Sequence, residues 1–306
     1  MTLEMRERTV QLRRRWKTAK RELRAWLFAR KLDYLVGMRK QTPVLIYQMG
    51  KVGSSSVYSS FPTRKHPLAV HLHRLHDGLI QEKIDSLRAA GLPVAAHYDH
   101  GKAVFRRVIQ RNRRCKVITL VREPIGRNMS FFFERFAELV GVRFADSTHS
   151  VDQLIDIFLQ HEGVLDRSAW FDTEFLPSLG IDVYLHPFPQ DSGHTRITSG
   201  NCEILLLQVE LDDRLKEQCI AEFLDDPDFR LGSANIGANK EYALAYQEFK
   251  STIVLPESYI HRMLDSRYTR HFYSDAQIEV IRHRWLSRRT ERLEPCRAGR
   301  PRNRAA

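Results

Sequence analysis

The chain is short of cysteine, glycine and proline and has no long apolar run. Its four cysteines, Cys115, Cys202, Cys219 and Cys296, lie far apart in the sequence, with no C-x-x-C and no Cys/His cluster at zinc spacing. This argues against a disulfide scaffold and against a metal site, and reads as reduced thiols in a cytoplasmic protein. Fifteen Gly and 12 Pro among 306 residues exclude a fibrous or low-complexity chain. Nowhere do about 18 apolar residues follow one another without a charge, so no segment is expected to span a bilayer as a helix. The apolar stretch Ala25–Ala29 is cut off by Arg30 and Lys31, too short and too charged for a secretory signal. The chain is expected in the cytoplasm.

Hydrophobic residues make up 42% and aromatics 10%, enough to bury the core of one large α/β domain. The net charge of +12 is unevenly spread. Residues 1–40 hold 13 Lys/Arg against 4 Asp/Glu, and residues 282–306 hold 9 against 2, which leaves 41–281 at −4. Basic arms flank a mildly acidic middle, so no nucleic-acid-binding face is implied.

Three regions follow. Residues 1–40 read as a basic amphipathic helix, in which Leu12, Trp16, Leu23, Leu27 and Tyr34 recur near helical spacing. Either that helix packs on the domain as a solvated element, or it lies peripherally on the anionic inner membrane surface. Residues 41–288 form the main domain, and 289–306 a basic, disordered tail. Strands are expected at 44–47, 68–72, 93–97, 116–121, 181–185 and 202–209. Helices are expected at 77–90, 102–112, 150–161, 168–176 and 212–224, and over most of 239–289. This alternation predicts an α/β fold: a P-loop-type parallel sheet covered by helices on both faces, with a helical C-terminal region.

The strongest chemical signal is a strand, then Gly50-Lys51-Val52-Gly53-Ser54-Ser55-Ser56, then a helix. Successive backbone N–H groups at such a turn cradle an anion, glycines let the backbone approach it, and the Lys adds a point charge. The order departs from G-x-x-x-x-G-K-[ST], because Lys51 precedes the second glycine, which disfavours a simple ATPase loop. Next, Arg122 leaves the fourth expected strand within Val121-Arg122-Glu123-Pro124, and Ser130 follows eight positions on. A guanidinium and a hydroxyl at the carboxyl edge of a sheet suit a second phosphate.

These residues resemble the sulfotransferases that use 3′-phosphoadenosine 5′-phosphosulfate (PAPS). Gln48–Ser56 resembles the family's 5′-phosphosulfate loop, and the Arg122…Ser130 spacing its 3′-phosphate element. The wider pattern is similar to a bacterial branch described as capsular polysaccharide synthesis proteins and named for an N-K-W-Y-S motif. Here that stretch reads Asn239-Lys240-Glu241-Tyr242-Ala243, so Trp and Ser are replaced. W-F-D-T-E-F at 170–175, G-I-D-V-Y at 180–184 and S-R-Y-x-R-H-F-Y at 266–273 also resemble that branch, and the resemblance covers roughly 43–288.

The resemblance implies that Lys51 stabilises charge on the oxygen bridging phosphate and sulfate. Gly50, Lys51, Val52, Gly53, Ser54, Ser55 and Ser56 would hold the 5′-phosphate, Arg122 and Ser130 the 3′-phosphate, and Lys240 a further phosphate oxygen, with no metal. It also implies a base that takes the acceptor's proton. His100 and then His97, past the third expected strand, match the family's placement of a His best, while His71 and His73 stay open as candidates. The implied acceptor is a hydroxyl on a carbohydrate or glycolipid. A P-loop kinase using ATP–Mg²⁺ and a non-catalytic nucleotide-binding or membrane-scaffold protein are the rival readings.

Overall fold

In the computed structural model, which describes residues 3–62, 65–89, 92, 94–232 and 241–293, the apolar runs become the inner strands of one sheet. Side chains are described at 12, 16 and from 18 to 286 within those segments. α1 (Leu3–Leu32) runs into a π-helical turn at Asp33–Met38 and is followed by β1 (Val44–Tyr47), α2 (Ser54–Ser59) and β2 (Ala69–Leu72). α3 (Asp77–Ala89), α4 (His97–Val104), β3 (Cys115–Val121) and α5 (Pro124–Val140) come next. Then follow α6 (Val151–Gln160), α7 (Glu162–Leu165), α8 (Leu176–Leu179), β4 (His194–Ser199), β5 (Cys202–Gln208) and α9 (Asp213–Leu224). The C-terminal region is helical: α10 (Ala243–Thr252), α11 (Glu257–Leu264), α12 (Arg267–Phe272) and α13 (Asp275–Leu293).

The chain divides into two compact units. Met1–Val121, Ala169–Pro189 and Gly193–Ala234 form the first, which contains the whole sheet, and Arg122–Ser168, Gln190–Ser192 and Asn235–Ala306 form the second. The sheet order is β2-β1-β3-β5-β4, with β2, β1, β3 and β5 parallel and β4 antiparallel to β5. All four residues of β1 are buried, as are all of β3 except Lys116, so these strands are covered on both faces. Each such aliphatic side chain contributes about 1.5–3 kcal/mol on leaving water. The chain passes from β1 to β2 on one side and later to β3 on the other, so the carboxyl end of β1 lies at a topological switch point. Open α/β sheets bind ligands at such a crevice.

The observed fold is thus mixed α/β with a mostly parallel sheet, and it departs from the sequence expectation in three strands. Residues 94–96 form no strand, and Pro93 lies outside the described residues. Val94 instead packs against Ile80, Ile84, Leu87 and Tyr98, and its carbonyl accepts a hydrogen bond from Arg21 Nη1 at 3.3 Å. The segment leads straight into α4, so His97 and His100 sit on a helix rather than past a strand end. Residues 181–185 form a 3₁₀ turn at Val183–Leu185, because the Asp182 carboxylate accepts the Tyr184 N–H at 2.9 Å and caps it. The unexpected strand is β4, a polar edge strand whose one buried residue is Ile197; it turns into β5 through Gly200-Asn201. In the same sheet Cys115 and Cys202, remote in sequence, are register partners with their sulfurs 3.1 Å apart.

α1 belongs to the first unit. Ala29, Leu32 and the following Val36 are buried, Arg21 pairs with Asp99 at 3.1 Å, and the Phe28 ring lies 4.3 Å from that of His100. The stripe read from the sequence, with Leu12, Trp16, Leu23 and Leu27, is not the packing face; all four are more than half exposed. No helix among the described residues is long and apolar enough to cross a membrane.

In the second unit α5 starts where Glu123 caps it, its carboxylate accepting the N–H groups of Ile125 and Gly126 at 2.9 and 2.7 Å, with Pro124 in the first turn. Phe132 and Phe133 pack with Phe136, Phe158 and Phe249 as this unit's aromatic core.

Candidate functional site

The segment that leaves β1 is held in place before it turns. The Gln48 N–H donates to the Leu72 carbonyl at 3.2 Å, and Met49 and Val52 are buried. Between them Lys51 adopts φ +71°, a left-handed conformation that is costly for a residue with a side chain. Gly53 follows at φ +82° and opens α2. A Cβ on Gly53 would lie 2.7 Å from Val209 Cγ2, so both the backbone angle and the space require glycine. Two left-handed residues bracketing one buried valine make the tight loop that Gly50–Ser56 was expected to form.

One feature of this loop was missed in the sequence. The Gln48 side chain is completely buried, and neither its Nε2 nor its Oε1 has a hydrogen-bond partner. Each unmatched buried amide atom costs about 1–3 kcal/mol. In the sequence Gln48 is the first residue of the loop-like stretch Gln48–Ser56, a polar residue directly after a buried strand.

Three histidines gather beside the loop. His71 Nε2 is hydrogen-bonded to Ser54 Oγ at 3.0 Å, and its ring stacks on Tyr58. The His73 ring lies 4.7 Å from His71, and its Nδ1 is 3.0 Å from the Gln48 carbonyl oxygen. His97, at the start of α4, is 6.3 Å from His73. Close packing of α4 makes this possible: Gly101 lies one turn on, and a Cβ there would be 2.5 Å from the Arg74 carbonyl oxygen. Burial, reinforced by the imidazoles of His73 and His97, pushes the His71 pKa down to about 4, so this ring is neutral at pH 7. His100 is not part of the row. Its ring lies against Phe28 of α1, and burial lowers its pKa against the opposing pull of Asp99. Ser55 is exposed and Ser56 half-buried.

The exit of β2 is fixed from below by W-F-D-T-E-F. Glu174 is 3% exposed and accepts the Leu75 N–H at 2.9 Å, Arg74 Nη1 at 3.1 Å and the Tyr47 hydroxyl at 3.2 Å. Ser178 Oγ accepts the His76 N–H at 3.1 Å and lies 3.0 Å from the Tyr47 hydroxyl. Trp170 and Phe175 pack on the Tyr47 ring. Trp170 and Phe171 are therefore core residues: Trp170 packs on the last residue of β1, and Phe171 packs on Trp170 and Phe175. Burial raises the Glu174 pKa, an effect that Leu75, Arg74 and Tyr47 partly offset.

Arg122 and Ser130 belong to the second unit. The Tyr268 hydroxyl accepts the Arg122 N–H and donates to the Arg122 carbonyl, both at 3.0 Å, so S-R-Y-x-R-H-F-Y supplies a clamp on the Arg122 backbone. Arg122 and Ser130 are both half-buried. Arg127, five positions after Arg122, is 1% exposed. Its Nη2 donates to the Leu165 carbonyl at 2.6 Å and its Nε to Asn128 Oδ1 at 3.2 Å, whereas Nη1 is buried without a hydrogen-bond partner. Burial pushes its pKa down to about 10. Asn239 and Lys240 lie outside the described residues.

Among the described residues no three His, Cys, Asp or Glu side chains gather as metal ligands. Residues 144–274 match the family model described as "Putative capsular polysaccharide synthesis protein". Neither the curated proteins nor the solved structures gave a match. The matched segment starts beyond Gly50–Ser56 and Arg122–Ser130. It does contain Glu174, Ser178 and Tyr268, the residues that brace the β2 exit and the Arg122 backbone. Residues 144–274 are thus similar to that family model, whose description suggests a glycan-related role.

Proposed function

We propose that the protein is an enzyme that transfers a sulfuryl group from PAPS to a hydroxyl of a carbohydrate, in the synthesis of a capsular or cell-surface glycan. One observation carries this reading most directly. At the switch point of the sheet, a loop with two left-handed residues and one lysine directly follows Gln48, whose amide is fully buried and unpartnered. In this reading a phosphosulfate oxygen accepts a hydrogen bond from the Gln48 Nε2 donor.

PAPS supplies a sulfuryl group already activated by its anhydride to phosphate. Lys51 places a cation where negative charge grows on the departing phosphate. The loop N–H groups, with Ser55 and Ser56, bind the 5′-phosphate. Ser54 stays hydrogen-bonded to neutral His71, which fixes the start of α2 without adding charge. His97 accepts the acceptor's hydroxyl proton in this reading, because it joins the imidazole row leading to Ser54 whereas His100 packs on Phe28. Arg122 and Ser130 read the 3′-phosphate, and Lys240 contributes a further contact. The match of residues 144–274 supports the glycan acceptor.

The test is calorimetric titration of the full chain with 3′-phosphoadenosine 5′-phosphate, beside ATP with Mg²⁺. Tight binding of the bisphosphate without metal is expected, and tighter binding of ATP–Mg²⁺ refutes the proposal. Arg122→Ala should weaken the bisphosphate far more than adenosine 5′-phosphate; equal losses sink the 3′-phosphate assignment alone.

A further inference from the structure

α1 carries two apolar faces. One packs into the first unit through Phe28, Ala29 and Leu32, with Arg21 paired to Asp99 beside them. At about 100° per residue, Leu12, Trp16, Leu23, Trp26 and Leu27 fall within an arc of roughly 100° on the opposite side. Their exposures are 65%, 66%, 57%, 58% and 52%. Cations are held over the two indoles: Lys20 Nζ lies 4.8 Å from the Trp16 ring and the Arg30 guanidinium 5.9 Å from the Trp26 ring. Arg24 and Lys31, both exposed, flank the same side.

We propose that this face lies in the surface of an anionic lipid bilayer, with the helix axis parallel to the membrane plane. Charge complementarity selects that occupant. Residues 1–40 hold 13 Lys/Arg against 4 Asp/Glu, and a bilayer bearing anionic headgroups neutralises this excess while its acyl boundary takes up the Trp and Leu side chains. Tryptophan, with an apolar body and a polar N–H, suits that boundary. A second copy of the chain is disfavoured on two counts. Self-pairing would bring two such basic segments together. A heptad seam through Trp16 and Leu23 would next place Arg30 at its centre, with Trp26 and Asp33 at the companion positions. The helix is too polar to cross the bilayer, so it binds in the plane.

Tryptophan fluorescence tests this on the full chain, because Trp170 and Trp285 are only 7% and 4% exposed, so a change of environment reports Trp16 and Trp26. The protein is titrated with vesicles of phosphatidylcholine alone and with vesicles containing phosphatidylglycerol as well, and co-sedimentation is followed in parallel. A blue shift and co-sedimentation are expected with the anionic vesicles, with affinity about tenfold or more lower for phosphatidylcholine alone. Trp16→Ala/Leu23→Ala/Trp26→Ala should cut partitioning by about tenfold or more with the circular dichroism spectrum unchanged. Replacing Lys20, Arg24, Arg30 and Lys31 by Gln should sharply reduce the preference for anionic lipid. Absence of binding to either vesicle, or binding that the triple variant retains, overturns the proposal. So does a dimer in sedimentation equilibrium that the triple variant dissolves, since the face then belongs to a second copy. None of these outcomes depends on sulfuryl transfer.

Discussion

Replacing Gly53 by alanine tests the loop geometry, and its cost can be worked out in two parts. At φ +82° a Cβ carries a left-handed penalty of about 1 kcal/mol. The same Cβ would sit 2.7 Å from Val209 Cγ2, and overpacking of this kind costs about 1–3 kcal/mol. Gly53→Ala should therefore destabilise the first unit by about 2–4 kcal/mol. Val209→Ala alone removes half-buried methyl groups, at about 1 kcal/mol. In the double variant the clash is gone but the backbone penalty stays, so the total is about 2 kcal/mol instead of an additive 3–5. The coupling energy is then about −1 to −3 kcal/mol.

Urea unfolding of the four proteins measures the cycle, with equal m-values as the check that the same transition is compared. A cost below about 0.5 kcal/mol for Gly53→Ala would refute the left-handed loop. Zero coupling would refute the contact with Val209. Binding separates fold from site: the double variant regains stability but keeps its Cβ where the backbone must approach a phosphate. It should still bind 3′-phosphoadenosine 5′-phosphate about tenfold or more weakly.

Three further outcomes are expected. Lys51→Gly relieves a φ of +71° and should raise stability by about 0.5–1 kcal/mol while abolishing transfer; Lys51→Ala should abolish transfer without that gain, and urea midpoints beside turnover tell them apart. His71 is neutral in the folded chain down to about pH 4, whereas the unfolded chain takes up this proton near pH 6.5. Its share of stability, about 3 kcal/mol, is therefore present above pH 6.5 and lost as the pH falls towards 4, and His71→Gln should flatten that slope in unfolding curves across the window. Burial holds the Arg127 pKa down to about 10, a penalty of about 3 kcal/mol that its two hydrogen bonds offset, so Arg127→Met should come within about 1 kcal/mol of the parent. A loss above 3 kcal/mol in thermal unfolding would show the guanidinium to be paired more strongly than these contacts account for.

β1, β3 and β5 were legible because strands covered on both faces read as short apolar runs, and in β1 and β3 their β-branched content sets them apart from buried helix segments. β4 was not, because an edge strand needs only one apolar anchor, here Ile197; the sole local sign was Gly200-Asn201 before a clear strand. Val183–Leu185 shows the reverse error. Alternating Ile181, Val183 and Leu185 mimics a strand, but Asp182 satisfies the Tyr184 N–H itself and removes a donor that a sheet ladder would need. At 93–97 the residue types allowed a strand, and only the packing of Val94 and Arg21 decided against it.

In the candidate site, Gly50–Ser56 was legible because its glycines and lysine are contiguous, and the left-handed angles at Lys51 and Gly53 follow from that local pattern. The link from His71 to Ser54 spans 17 residues and that from Glu174 to Tyr47 spans 127, so no local period announces them. What the sequence did contain was W-F-D-T-E-F and S-R-Y-x-R-H-F-Y, without a task for either. Glu174 and Tyr268 give them one: each spends its polar atoms on the backbone of a segment that carries a candidate residue, the turn after His73 in one unit and Arg122 in the other. A backbone amide accepts any side chain that reaches it, so nothing in the amide's own sequence selects its partner. The bracing residue has to be found from its burial, as a polar group that no apolar interior would otherwise hold. The same reasoning explains α1. Its helical period was visible, but period alone does not choose between two apolar faces. The smaller face, Ala29 and Leu32, allowed close packing, and the larger one, with its indoles and cations, stayed exposed.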